Sequence, residues 1–395
     1  MNASRIHPGP LHRACSKALV LQGGGALGSY QAGVYDALSG HPHHQPNWIA
    51  GVSIGAINAA LIAGNAPRRR VERLREFWQL VSSGPPQRLP NWLADRPTLN
   101  QWSASLATVF GIPGFFEPRL SPTLMMGGDA PMLSYYDTAP LKSTLERLVD
   151  FDRINAREVR LSVGAVNVRT GNSVYFDNTI HRIGPEHIMA SGALPPGFPP
   201  VEVDGEPYWD GGLVSNTPLQ YLLDNQPRSE PLVVLQVDLF NARGQMPATI
   251  SDVMARQKDI TYSSRTRMNT DALAANVNLQ QAIAELMAKL PPALRKDASV
   301  RAVQQQLTHQ PVDIFHLIYR DKPYERDSKD YEFSRATVEE HWEVGQRDMR
   351  RTLDHTGVFE SHAQSDGVTT YDLADPAAIR IKRPITPPSA DSNAP

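Results

Sequence analysis

Apolar and polar positions along this chain fall into two alternating rhythms. Lys17 to Gln22 (KALVLQ) is a short apolar run that stops at Gly23-Gly24-Gly25. From Gly28 a helical spacing takes over, with Tyr30, Val34 and Leu38 on one face. Trp48 to Val52 reads as a second buried strand; it ends at Ser53 and gives way to an Ala/Ile-rich helix over Ile54 to Ala63. Two successive strand, tight turn and helix units predict parallel βαβ construction with helices on both sheet faces. Arg68 to Val81 carries a further amphipathic helix pattern.

The rhythm breaks at 82–136, a stretch rich in Pro, Gly and Trp that reads equally as a lid or as a packed surface insertion. It resumes with a helix from Ala139 to Val149 and two strands, Arg160 to Val168 and Ser173 to Phe176, joined by Thr170-Gly171-Asn172 in hairpin fashion. A short helix at His187 to Ser191 runs into LPPGFPP, and an Asp204-Gly205 turn precedes Tyr208-Trp209-Asp210-Gly211-Gly212. Leu232 to Asp238 is another strand. Beyond about Phe240 the pattern becomes helical (Ile250 to Leu290, Ser299 to His309, Ser334 to Thr352), with one strand at Val312 to Tyr319. After about Glu360 no period remains.

The expected organisation is therefore a flexible N-terminus at 1–15, an α/β domain at 16–240, a mostly helical C-terminal extension at 241–357 and a largely disordered tail at 358–395. With 395 residues, 41% of them apolar and 20% charged, the chain can bury a large core. A net charge of −2 supplies no global field for nucleic acid, and none is expected as a partner. The Arg68-Arg69-Arg70 run is followed by Glu72 and Glu76 and reads as a solvated helix face. Cys15 is the single cysteine, which excludes an intrachain disulfide. No stretch approaches the length of a membrane span, so a cytoplasmic protein touching membranes at most peripherally is expected.

Three glycine-bearing turns hold the candidate chemistry. Gly51-Val52-Ser53-Ile54-Gly55 places a serine between a strand and a helix, where flanking side chains would clash and the hydroxyl stands above the sheet edge. The helix that follows brings amides and a positive dipole end to the same place. Gly23-Gly24-Gly25-Ala26-Leu27-Gly28 can converge amides on an anion, either a nucleotide phosphate or an oxyanion. No Lys-Ser/Thr follows it, and no acidic residue stands about 20 positions on, so the oxyanion reading is favoured. Asp210-Gly211-Gly212 alone reads as a surface turn.

Together, GGGALG, GVSIG and DGG, with ALPPGFPP between the second and third, resemble the patatin-like phospholipases over about Lys17 to Asp238. The extension resembles that of a bacterial subgroup of the family. The resemblance implies a three-layer αβα core around a mainly parallel sheet, and a lipid acyl hydrolase with Ser53 as nucleophile and Asp210 as general base. It also implies that Gly23, Gly24 and Gly25 offer oxyanion amides, with Gly28, Gly51, Gly55, Gly211 and Gly212 in support. Plant members carry a basic residue where this chain has Leu27, so any charge it would supply is lost.

No Cys/His cluster or acidic calcium loop occurs, so neither a metal nor a cofactor is expected; His41, His43 and His44 lie at poor ligand spacing. Phe110, Phe115, Phe116, Met125 and Met126 are candidates for acyl-chain contact or for packing. The expected partner is a lipid ester, with a homo-oligomer through the extension as a further expectation. Two rivals remain: a Ser-His-Asp hydrolase drawing on His309, His316, His341, His355 or His362, and a non-catalytic nucleotide-binding module.

Overall fold

The computed structural model describes residues 16–82, 110–119, 133–226, 230–307, 312–320, 329–355, 368–374 and 380–382. Two apolar runs, β1 (Ser16–Leu21) and β2 (Trp48–Val52), lie side by side in parallel at the centre of the main sheet. Each feeds a helix: α1 (Gly28–Ser39) follows the first and α2 (Ile54–Ala63) the second, with α3 (Arg70–Leu80) packed on both. Every residue of α2 is buried, which accounts for its apolar composition; the one polar side chain, Asn58, donates to the Gly28 carbonyl and to Gln31 Oε1. In the insertion, β3 (Glu117–Pro118) and β4 (Tyr136–Asp137) form a separate two-residue ladder. Residues 83–109 and 120–132 of the insertion, with Met125 and Met126, lie outside the described residues, as does the N-terminus with Cys15.

After α4 (Ala139–Leu148) and α5 (Phe151–Asn155), β5 (Arg160–Asn167) joins β2 in parallel, and β6 (Ser173–Asp177) folds back on it as the expected hairpin. α6 (Pro185–Ser191) leads to β7 (Val201–Val203) and β8 (Glu206–Asp210), a hairpin closed by Asp204 and Gly205, both at positive φ. That is the twist a two-residue turn needs, and it explains the Asp-Gly pair. α7 (Leu219–Asp224) then precedes β9 (Leu232–Asp238), which lies parallel to β1 on the side away from β2.

The sheet does not stop at β9. α8 (Ile250–Ala288) and α9 (Ala298–Gln306) precede β10 (Val312–Ile318), which runs parallel to β9. α10 (Arg335–Leu353) crosses back to pack on α1, so closely that a Cβ on Gly33 would lie 2.0 Å from the Trp342 carbonyl oxygen. β11 (Val368–Asp372) and β12 (Arg380–Lys382) complete the sheet order β12-β11-β10-β9-β1-β2-β5-β8-β7. The chain therefore has the expected α/β core with a mainly parallel sheet, and helices dominate its C-terminal part.

Two strands thus fall within 358–395, where no period was visible. Both are short, and β11 is ordered by partners: it pairs with β10, Tyr371 stacks on Phe315 at 4.7 Å, and Arg320 bridges to Asp372. Such a strand depends on tertiary pairing rather than on its own pattern.

Candidate active site

The register around β5 brings two distant residues together. β6 covers one edge of β5 over Ser162 to Val166. On the other edge, β2 pairs up to Val52 opposite Gly164, and β8 takes over at Asp210 opposite Ala165. β2 runs parallel to β5 and β8 antiparallel, so their C-terminal ends meet head-on. Ser53 leaves the first end and Asp210 closes the second.

Ser53 sits at φ 57° and ψ −126°, an unusual backbone for a residue with a side chain. It is held there from below. Its amide donates to Ser191 Oγ at 2.9 Å, and that hydroxyl donates to the Gly164 carbonyl at 2.6 Å. The flanking glycines have no space for more: a Cβ on Gly51 would lie 2.3 Å from the Gly55 oxygen, and one on Gly55 2.3 Å from the Leu21 oxygen. Gly28 and Gly211 are equally confined, against Ile54 and the Gly164 carbonyl.

Asp210 is buried, accepts the Gly212 amide at 2.7 Å and lines the same cavity as the Ser53 hydroxyl, which lies close enough to lower its pKa. Burial pushes its carboxyl up to about 6; the Ser53 hydroxyl and the Gly212 amide beside it hold it from rising further. Trp209 does not provide that shelter, because alternation along β8 sends its side chain to the opposite sheet face.

The glycine loop stands across from this pair. The Gly23 amide donates to the Asn216 carbonyl at 3.1 Å, and Asn216 Nδ2 returns a bond to the Gly23 carbonyl at 2.9 Å. Gly23 is thereby committed, which corrects the expectation that all three glycine amides face an oxyanion. Gly24 and Gly25 keep amides without a hydrogen bond among the described residues. Beneath the loop, buried Gln22 donates to Thr217 and to the Tyr262 carbonyl and accepts from the Leu239 and Phe240 amides. Ser191, Asn216 and Gln22 were not singled out as site residues. Asn216, six positions after Asp210, is the one with a local signal.

A cavity of about 490 Å³ opens over Ser53, Asp210 and the Gly23–Gly25 loop. Its far wall is aromatic: Phe115, Phe116, Tyr136, Phe198 and Phe333 line it and pack edge to face or tilted, with ring centres 4.8–6.2 Å apart. Phe115 and Phe116 thus belong to the cavity, whereas Phe110 is 73% exposed and apart from it. Among the described residues no histidine lines the cavity; His316 faces Asp238 at 3.3 Å instead, and His309 and His362 lie outside those residues. No helix among the described residues is long and apolar enough to cross a membrane.

A serine on a strand-to-helix elbow thus lies beside a buried carboxylate at an apolar cavity on the edge of an α/β sheet. The profile of patatin-like phospholipases matches residues 19–223, more than half of the chain, and a second profile, described as patatin phospholipase, matches 260–365. The chain belongs to the patatin-like phospholipase family, and so to the lipid-ester hydrolases by class. No match was found among curated protein sequences. Solved structures similar to the chain include VipD from Legionella pneumophila, at 14% identity and a TM-score of 0.32, covering 83% of this chain and 67% of that one. Human GIVD cytosolic phospholipase A2 is another, at 11% identity and a TM-score of 0.35, with 88% and 60% covered. A third is the ExoU–SpcU complex of the type III secretion system of Pseudomonas aeruginosa, at 15% identity, a TM-score of 0.28, and 88% and 78% covered. The chain therefore spans only part of each.

Proposed function

We propose that this chain hydrolyses a carboxylic ester of a lipid through a Ser53–Asp210 dyad and an acyl-enzyme. The observation that carries the reading is the placement of the Ser53 hydroxyl beside a buried carboxylate, Asp210, at the floor of one cavity, with the carboxyl pKa raised to about 6. A raised pKa brings the base closer to the working pH, where it accepts a proton with less loss of driving force. Ser53 Oγ attacks the ester carbonyl carbon as its proton passes to Asp210. The oxyanion that forms is held by the Gly24 and Gly25 amides and by the N-terminus of α2. When the carbon–oxygen bond to the alcohol breaks, Asp210 returns the proton to the leaving group. Water then attacks the acyl carbon, gives a proton to Asp210, and the acid departs as Ser53 Oγ is reprotonated.

The aromatic wall is the natural seat for an acyl chain, and a substrate drawn from a lipid surface fits a cavity with so apolar a lining. We assign the chain no metal in this cycle, since serine, carboxylate and amides supply each proton and charge it requires.

Fluorophosphonate labelling with mass-spectrometric site mapping tests the reading, alongside ester hydrolysis by wild type, Ser53→Ala and Asp210→Asn. One adduct on Ser53 is expected, with turnover reduced by about 10⁴-fold or more in both variants. An adduct elsewhere, or an active Asp210→Asn enzyme, overturns it.

A further inference from the structure

The C-terminal part of the chain reaches the glycine loop through a crossed set of charges. α8 carries Lys258 and Asp259 in sequence; the stretch entering α10 carries Lys329 and Asp330. Lys329 Nζ donates to Asp259 Oδ1 at 2.6 Å, with both side chains buried. Lys258 Nζ reaches the two carboxylate oxygens of Asp330 at 2.8 and 3.1 Å, nearer the surface. At the same point the main-chain carbonyl of Asp330 accepts the Ala26 amide at 2.8 Å. The fit is tight: Gly25 lies at φ 55°, and a Cβ there would come within 1.9 Å of that carbonyl oxygen.

This contact fixes the last of three consecutive peptide planes in the loop. Asn216 Nδ2 on the Gly23 carbonyl holds the plane that carries the Gly24 amide, the Leu27 amide on the Gly24 carbonyl holds the plane that carries the Gly25 amide, and the Asp330 carbonyl on the Ala26 amide holds the plane that follows. The same stretch also sends Tyr331 and Phe333 to the cavity wall, and α8 sends Tyr262. A buried ion pair adds little net stability over apolar side chains of similar volume, because desolvation offsets the attraction. What this pair does supply is a fixed position for the backbone beside it.

We propose that Lys329, through Asp259, is a positioning residue: the pair pins the Asp330 carbonyl against Ala26 and so aims the Gly24 and Gly25 amides at the reacting carbonyl. The role rests on the ester-hydrolase reading above. It requires that loosening the pair slow the chemical step while substrate binding at the aromatic wall is unchanged.

The test uses the full chain with the double variant Asp259→Leu/Lys329→Met, which removes both charges of the pair together. Hydrolysis of p-nitrophenyl butyrate, thermal melting, and amide hydrogen exchange in peptides spanning 22–30 are followed together. Expected are a fold retained, faster exchange at Ala26, and kcat lower by about tenfold to a hundredfold at unchanged KM, the usual penalty of a misaimed oxyanion donor. Lys329→Arg, which keeps the charge, is expected to recover most of the rate. A folded double variant with wild-type kcat and unchanged exchange overturns the proposal. If the double variant does not fold, Asp259→Asn is read instead: it must slow kcat and speed exchange in the same direction, and no change in either overturns the role. Should the wild type hydrolyse no ester at all, the hydrolase reading fails separately, because exchange at residues 22–30 still reports whether the pair holds the loop.

Discussion

The two faces of the cavity are built on opposite principles. The polar floor, from the glycine loop to Ser53 and Asp210, is backbone against backbone, with glycine wherever a Cβ would meet a carbonyl. The aromatic wall is ring against ring, drawn from four separate stretches of chain. A backbone contact at 2.3 Å from a would-be methyl has nothing that can yield, whereas rings re-pack with modest loss. On the mechanism proposed above, the floor sets whether chemistry occurs and the wall sets which chain is held.

Substitution on the floor should break this contrast most sharply. Gly51→Ala forces a methyl into the Gly55 carbonyl, and we expect a loss above about 4 kcal/mol in denaturant unfolding, with no measurable turnover. A soluble, active Gly51→Ala enzyme would show that the elbow yields after all. On the wall, Phe115→Ala empties a buried site and should cost about 3–5 kcal/mol by the same measurement. Its remaining activity should shift from long towards short acyl esters, visible as a rise in KM confined to the long ones.

The smallest effect concerns proton linkage at Asp210. Its carboxyl must be ionised to act as base, so kcat/KM should climb with pH and level off above about 6. Because the folded-state pKa lies above the ordinary 3.8, the native protein holds the proton more tightly than the unfolded chain. Stability from this group is then complete at low pH, falls between about 4 and 6, and is flat beyond. Asp210→Asn removes that loss, and we expect it to be more stable than wild type at pH 8 by on the order of 2–3 kcal/mol. The gap should close by about pH 4, as melting curves at the two pH values would show.

Much of the floor was legible in the sequence because its cause is local. A serine between glycines at a strand end states its own strain, and the order of the three glycine turns made Asp210 readable although its own turn is ordinary. The Gly23 amide is taken by the carbonyl of Asn216, 193 positions away, a contact that its glycine motif does not signal. Ser191 and Gln22 act across comparable distances, and Asp330 acts through a carbonyl that every residue type possesses. No pattern in residue identity announces such a contact. The strands at 368–372 and 380–382 escaped notice for a related reason: neighbours order them, not their own alternation.

The meeting of β2 and β8 end to end along one margin of β5 has an evolutionary and engineering corollary. Side chains on a strand alternate sides, so adding or deleting a single residue between the Asp204-Gly205 bend and Asp210 would swing the carboxylate to the reverse of the sheet while leaving the hairpin itself intact. Length changes there should be silent in pairs and ruinous singly, a parity rule that the loop on the far side of Gly212 does not share.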